Sequence, residues 1–544
     1  MAGGASAAAR ARRLSEVAEI ILFEKGPHVS FANCGLPYYL GGEISDQEDL
    51  LVQTPEGLKK RFNLDVRVNT EVVAIDREMQ EVEVVHLPSG AHTRERYDAL
   101  VLSPGANPVK PPIPGIDRPG HFMLRNIPDT MAIEKCMKDH AQGKAVVVGG
   151  GYIGLEMAEQ LTKRGIKVTL LEALTQVLSP LDPEMASLLH RELRRMGVTL
   201  HLGDPVVSFD EPVGREAGAS VVVLKSGARI PADMVILGIG VSPDTTLARE
   251  AGLEIGALRG IRVNEYLQTS DPKIWAVGDA IEVRNTITGE WSLVPLAGPA
   301  NRQGRMAADN IFGKKQKYLG TLGTGILRVF SLAAGMTGAN AKTLKKAAIP
   351  FQSIYLHPSS HAGYYPGASP IALKVLFDPT DGRLLGAQAV GKDGVDKRID
   401  VLATAITSKM TVRDIAQLEL SYAPPFGSAK DPVNLAGMMG ENILDGLMEA
   451  AHWDETDKLD PDEQLLLDVR QKPELEAGKI PGAINIPLPE LRSRLSELPK
   501  DKEILVYCQA GQRSYYAERI LALNGFKVRN LMGAWLTWKA ANER

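Results

Sequence analysis

Cysteine is scarce. The 544 residues hold three, Cys34, Cys136 and Cys508, too few and too far apart for a disulfide framework, so a reducing cytoplasm is the expected compartment. No uninterrupted apolar run reaches about 18 residues, which argues against a membrane span. The net charge is only -4 at pH 7 and gives no reason to expect a nucleic-acid partner. No metal site is expected. Acidic residues are absent before Glu16, as they would be in a transit peptide. That stretch nevertheless leads straight into Val17 to Glu24, an apolar strand closing on an acid, which is how the second half of a βαβ nucleotide unit reads.

What is present is a nucleotide-binding pattern, once whole and once cut short. The whole copy starts at the apolar strand Lys144 to Val148, follows it with Gly149, Gly151 and Gly154 in G-x-G-x-x-G, and continues as a helix from Leu155 to Arg164. A second strand, Lys167 to Leu171, closes on Glu172. Gly149 permits the tight turn, Gly151 lets backbone approach a pyrophosphate at the helix N-terminus, and Gly154 allows close helix-to-strand packing. Glu172 would hydrogen-bond a ribose 2′-hydroxyl and repel a 2′-phosphate, so NADH is expected over NADPH; Ala173, Leu174 and Thr175 add no arginine. The cut copy has Gly3 and Gly4, with Gly4 at the third glycine position, and Glu24 as its acid. The first strand and first glycine are missing, and the expectation is a start codon assigned too far downstream or a truncated chain. Two more turns complete a flavin site: Ser103 and Gly105 after Leu100 to Leu102, and Gly278-Asp279 after Ile274 to Val277. The Asp279 carboxylate would accept from a ribityl hydroxyl. The second turn resembles the later FAD motif of the two-dinucleotide flavoproteins, and the order of both around an inserted NAD unit is the layout of that superfamily.

Cys34 lies in Ser30-Phe31-Ala32-Asn33-Cys34-Gly35-Leu36-Pro37-Tyr38-Tyr39. A dithiol reductase needs a partner thiol about one and a half helical turns on; Tyr39 stands there. A lone thiol must instead form a mixed disulfide, a persulfide or a sulfenic acid with something arriving from solvent, so the substrate is a sulfur species or a peroxide. Near the C-terminus, Glu503 to Tyr507 runs into Cys508-Gln509-Ala510-Gly511-Gln512-Arg513-Ser514. Here the chain resembles a rhodanese domain, with Lys479 where the family has a histidine. Cys508 would face backbone N–H groups and a helix N-terminus that stabilise a thiolate or persulfide, with Arg513 adding positive charge.

Taken together, residues 1 to about 440 resemble the coenzyme A disulfide reductases, and the whole chain resembles their rhodanese-fused relatives, the NADH-dependent persulfide and polysulfide reductases. The resemblance implies an α/β fold: two nested Rossmann-like FAD- and NAD-binding domains, an α+β dimerisation domain and a C-terminal rhodanese α/β domain. The expected spans are 1–110 and 236–315 for the FAD-binding domain, 111–235 for the NAD-binding domain, 316–445 for dimerisation, 446–462 for a linker and 463–544 for the rhodanese domain. It makes Cys34 the redox-active nucleophile and assigns coenzyme A contacts to Ser6, Arg10, Arg13, Ser30, Asn33 and Lys430; independently, Ser6, Arg10 and Arg13 share one helical face at i, i+4 and i+7. Tyr364 or Tyr365, together with Tyr422, would be presented to the active site by the partner subunit of a homodimer, a phenol there donating to a departing thiolate. The expected activity is NADH-dependent reduction of coenzyme A persulfide and related polysulfides, releasing hydrosulfide, with sulfur carried on Cys508. Coenzyme A disulfide reduction and a non-reducing sulfur carrier are the alternatives. A peroxidase or oxidase is a further one, but its histidine in the first glycine-rich turn is replaced by Ala2.

Overall fold

The computed structural model describes residues 2–212 and 219–542, which form two compact units. One takes the chain up to 175 and 197–323; the other takes 176–196 and everything from 324 on.

In the first unit, Thr199–Leu202, Lys167–Glu172, Lys144–Val148, Met234–Leu237 and His121–Phe122 lie side by side in that order as a parallel sheet. Val146, Val147 and Leu170 are buried, the near-continuous apolar reading of strands covered on both faces. Elsewhere in the unit Ile21–Phe23 pairs in parallel with Asp65–Arg67, and Leu100–Leu102 with Ile274–Ala276. These are two separate ladders, and among the described residues no strand joins them. The helix Ala2–Arg12 packs along Ala297–Ile311. The crossing depends on small residues, because a Cβ at Gly304 would run into the Gly3 carbonyl oxygen.

The second unit holds an antiparallel sheet in the order Gly325–Val329, Leu332–Gly338, Leu384–Gly391, Ile371–Phe377, Gln352–Leu356. It also holds a parallel sheet in the order Ala450–Ala451, Val528–Leu531, Glu503–Tyr507, Gln464–Asp468, Ile484–Asn485. Residues 446–462 were expected to be a linker. They instead supply the edge strand of this parallel sheet and the 3-10 turn Trp453–Lys458, fastened by Arg529 to Glu455 at 2.7 and 3.0 Å and to the Ala450 carbonyl at 2.8 Å. Backbone pairing with Asn530 and Leu531 orders what composition alone suggested was loose.

The segment 176–196 is tied to the antiparallel sheet by a buried charge cluster. Lys374 Nζ donates to Asp182 at 2.6 Å and to Glu184 at 2.5 Å, Tyr355 donates to Glu184 at 2.7 Å, and Gln388 donates to Asp182 at 2.7 Å. Burial by itself would lower the Lys374 pKa, but Tyr355, Glu184 and Asp182 outweigh it and hold the amine charged. Losing one partner of such a cluster leaves a buried charge uncompensated, at about 3–5 kcal/mol.

Candidate active site

The whole fingerprint is built as its glycines require. Gly149 has φ +105, a Cβ at Gly154 would strike the Gly149 carbonyl oxygen, and nothing lies within 4 Å of where a Gly151 side chain would be. That last space opens at the N-terminus of the helix Tyr152–Lys163, where N–H groups face an incoming phosphate. Glu172 sits beside it, accepting from Gly150 N at 2.7 Å and Leu174 N at 2.8 Å through separate oxygens. Each oxygen keeps a lone pair for a ribose hydroxyl.

The second cradle is assembled from four distant stretches. Gly4 N donates to Ser103 Oγ at 3.1 Å, and a Cβ at Gly3 would lie 2.7 Å from the Val277 side chain and 3.0 Å from Ser103 Oγ. Gly278 and Gly105 both take left-handed backbone, φ +81 and +76, and Gly278 N donates to Gln303 at 2.7 Å. Asp279 follows; burial pushes its carboxyl upward, and among the described residues it has no hydrogen-bond partner. Glu24 accepts from Gly26 N at 2.8 Å with one oxygen, leaving the other available. A half-buried carboxylate, beside left-handed Gly278 and Gly105 and the sterically tight Gly3, fits a hydroxyl-rich dinucleotide.

Cys34 lies in the 3-10 turn Asn33–Gly35, open to solvent on one side. The turn runs into the helix Leu36–Gly41, which carries Tyr39. This helix packs on Tyr152–Lys163: a Cβ at Gly41 would collide with Gln160, and Tyr38 OH donates to Glu156 at 3.3 Å. The helix offers the Cys34 sulfur no N–H stabilisation. The helix is only six residues long, Pro37 contributes no N–H, and among the described residues no hydrogen bond reaches the sulfur. Partial desolvation, followed by the charges of Glu156 and Asp279, pushes the Cys34 thiol upward. The same influence places the sulfur within electrostatic reach of the second cradle.

The helix-face trio is divided. Arg10 is salt-bridged to buried Asp309 at 2.7 Å, Ser6 donates to Asn301 at 2.6 Å, and only Arg13 is exposed. Arg10, which the resemblance assigns to coenzyme A, is held by an acid 299 positions away. Ser30 is half-buried in a bridge to Gln53, and Asn33 is exposed beside Cys34.

In the second unit the Tyr364 and Tyr422 hydroxyls are 3.0 Å apart, whereas Tyr365 sits edge-on to His361 with ring centroids 5.8 Å apart. The geometry thus separates the two adjacent tyrosines, and Tyr364 is the partner of Tyr422. Tyr364 is 77% exposed, and Tyr365, Tyr422 and Phe426 are exposed as well. Lys430 is exposed nearby in sequence. Sequence reasoning missed the side chain that holds this region. Arg398 is fully buried, donating to the Ser360 carbonyl and to Asp431, each at 2.9 Å, while Ala362 N donates to the Gly427 carbonyl. The two tyrosine-bearing loops are therefore pinned together. One signal was available: Arg398 is a cation on the buried stripe Val395, Ile399, Leu402, where a charge needs a partner.

In the same unit Cys508 is buried at the end of Glu503–Tyr507, and its sulfur accepts from Gly511 N at 3.1 Å ahead of the helix Gln512–Leu523. Arg513, expected to add free positive charge, makes a double ion pair with Glu474 at 2.6 Å. Lys479 Nζ donates to the Ala483 carbonyl at 3.3 Å. Among the described residues no group of His, Cys, Asp and Glu is arranged to hold a metal ion, and no helix is long and apolar enough to cross a membrane.

Three stretches match known families: residues 2–304 the pyridine nucleotide-disulphide oxidoreductases, 327–432 the dimerisation domain of those enzymes, and 452–541 the rhodanese-like domain. A coenzyme A disulfide reductase of Staphylococcus haemolyticus is 36% identical over 444 residues, 81% of this chain and 98% of that protein. The crystal structure of reduced CoADR-RHD from Bacillus anthracis superposes with a TM-score of 0.97 at 49% identity, covering 99% of this chain and 96% of that one. An NAD-dependent persulfide reductase from A. fulgidus superposes with a TM-score of 0.92 at 38% identity, covering 99% and 98%.

Proposed function

Given that the chain belongs to the pyridine nucleotide-disulphide oxidoreductase family and ends in a rhodanese-like domain, we propose that it is an NADH-dependent flavoprotein reducing coenzyme A persulfide and related polysulfides to hydrosulfide. The observation that carries this reading is a solvent-open Cys34, beside the cradle of Asp279 and with Tyr39 where a dithiol enzyme has its second thiol. Gly3, Gly4, Glu24, Ser103, Gly105, Gly278 and Asp279 would hold FAD; Gly149, Gly151, Gly154 and Glu172 would hold NADH. When bound, these groups supply the two electrons of the reduction.

Cys34 as thiolate attacks the outer sulfur of the persulfide. A Cys34 S–S bond forms, the donor's S–S bond breaks, and coenzyme A leaves as its thiolate. Two electrons then cleave the Cys34–S–SH bond, returning Cys34 as thiolate with the outer sulfur released as hydrosulfide. Because desolvation, then Glu156 and Asp279, favour the protonated thiol, positive charge on the coenzyme A side matters; exposed Arg13 and Lys430 are the cations assigned there. The exposed Tyr364 and Tyr422 pair acts across a homodimer, with a second copy covering it and one phenol donating to the leaving thiolate. Three free cysteines suit a reducing compartment. The Staphylococcus haemolyticus relative favours a second reading, coenzyme A disulfide reduction by the same residues.

Titrating the flavin absorbance of the purified protein decides between them. NADH should bleach it, and coenzyme A persulfide should restore it with release of hydrosulfide, faster than coenzyme A disulfide does. No recovery with persulfide rejects the proposal. Glu172→Arg should shift the preference toward NADPH by about tenfold or more, since a cation replaces the repelling carboxylate beside the 2′ position. An unchanged ratio of kcat/KM for the two nucleotides would show that another residue sets the choice.

A further inference from the structure

Cys508 sits in a loop whose charge is cancelled. The loop side chains Gln509, Ala510 and Gln512 are neutral, and Arg513 is its one cation. Arg513 presents both terminal nitrogens to the two oxygens of Glu474, each at 2.6 Å. Glu474, first through its hydrogen bond, and then Cys508 act to hold Arg513 protonated, so the guanidinium lies in the field of both. Glu474 is fixed from behind because one of its oxygens also accepts from Gln471 N at 2.9 Å. Arg470, the nearby alternative cation, is fully buried and bonded to both oxygens of Asp468.

What remains to attract a sulfur donor is a backbone N–H on the sulfur and the N-terminus of Gln512–Leu523, partial charges that favour an anion only modestly. A dianion such as thiosulfate needs a full cation to offset its desolvation. A persulfide group, neutral or singly charged at the sulfur that enters the loop, does not. We propose that Glu474 sets the donor specificity of the Cys508 site, excluding dianionic sulfane donors by neutralising Arg513 and leaving the site to alkyl persulfides. This rests on the reading of Cys508 as a sulfur-transfer nucleophile. In that transfer the Cys508 thiolate attacks the outer sulfur of R–S–SH; the new S–S bond forms as the donor's breaks, R–S⁻ leaves with the electron pair, and Cys508 becomes a persulfide. Cyanide then removes the sulfur as thiocyanate and returns the thiol.

The full-length protein, assayed by thiocyanate formation with either glutathione persulfide or thiosulfate as donor, tests this. The wild type should show a kcat/KM about tenfold or more higher for the persulfide. Glu474→Gln keeps an oxygen for Gln471 N but frees the Arg513 charge; it should raise kcat/KM for thiosulfate about tenfold while the persulfide value stays within about twofold. Equal use of both donors by the wild type overturns the proposal whether or not the variant folds. So does a Glu474→Gln enzyme that still uses persulfide but gains nothing with thiosulfate. If the wild type loads from neither donor, the underlying reading of Cys508 fails, and this proposal fails with it.

Discussion

In Cys34→Ser, NADH bleaches the flavin at the wild-type rate while hydrosulfide release from coenzyme A persulfide falls by about 10³-fold or more. The two halves separate because hydride transfer needs only the two cofactors, for which the proposed cradles are Gly149, Gly151 and Glu172 on one side and Ser103, Gly278 and Asp279 on the other. None of these touches the thiol through a hydrogen bond. Serine nearly matches the volume of cysteine, and at a solvent-open position in a 3-10 turn it disturbs no packing. Its hydroxyl, however, cannot accept a sulfane sulfur reversibly at neutral pH. Rapid mixing with NADH, followed by sulfide quantification in the steady state, reads both halves in one sample. Substantial persulfide turnover in Cys34→Ser would remove the thiol from the mechanism.

The second large effect concerns Cys508→Ser, which should abolish sulfur transfer to cyanide, also by about 10³-fold or more, yet leave NADH consumption with soluble coenzyme A persulfide near wild type. On the proposed reading that substrate reaches Cys34 by its own phosphate contacts and has no need of a carrier. Buried Cys508 is seated by Gly511 N, a donor that a serine oxygen accepts equally well, so the loop should keep its shape. If NADH consumption falls as deeply as in Cys34→Ser, Cys508 is an obligatory relay. The segment 446–462 bears on this, because it is paired into the parallel sheet and is no free tether.

How much of this was legible in sequence depended on distance along the chain. The fingerprint at Gly149, Gly151 and Gly154 was readable because its constraint is local: a Cβ at Gly154 meets a carbonyl five residues back. The strands Lys144–Val148, Ile371–Phe377 and Glu503–Tyr507 were readable from their apolar runs. Side-chain pairing was not. Helical spacing put Arg10 on a phosphate-facing stripe without showing Asp309, and the Cys508 loop displayed Arg513 without showing Glu474, 39 positions earlier. For the same reason the influences that raise the Cys34 thiol were not legible: beyond desolvation, Glu156 lies more than a hundred residues on and enters only through the packing of two helices. The division of labour between Tyr364 and Tyr365 needed the conformations of two loops, and those hang on Arg398.

The buried cluster around Lys374 has a consequence for the order in which the protein is made. Asp182 and Glu184 leave the ribosome 192 and 190 residues ahead of the lysine that neutralises them, a delay of roughly 10 to 40 s at typical synthesis rates. For that interval the helix Pro183–Arg195, with Met185, Leu189 and Leu193 on the face it later buries, has no sheet to cover it. Until Lys374 and its strand are made, the nascent chain holds this apolar face open to aggregation and proteolysis.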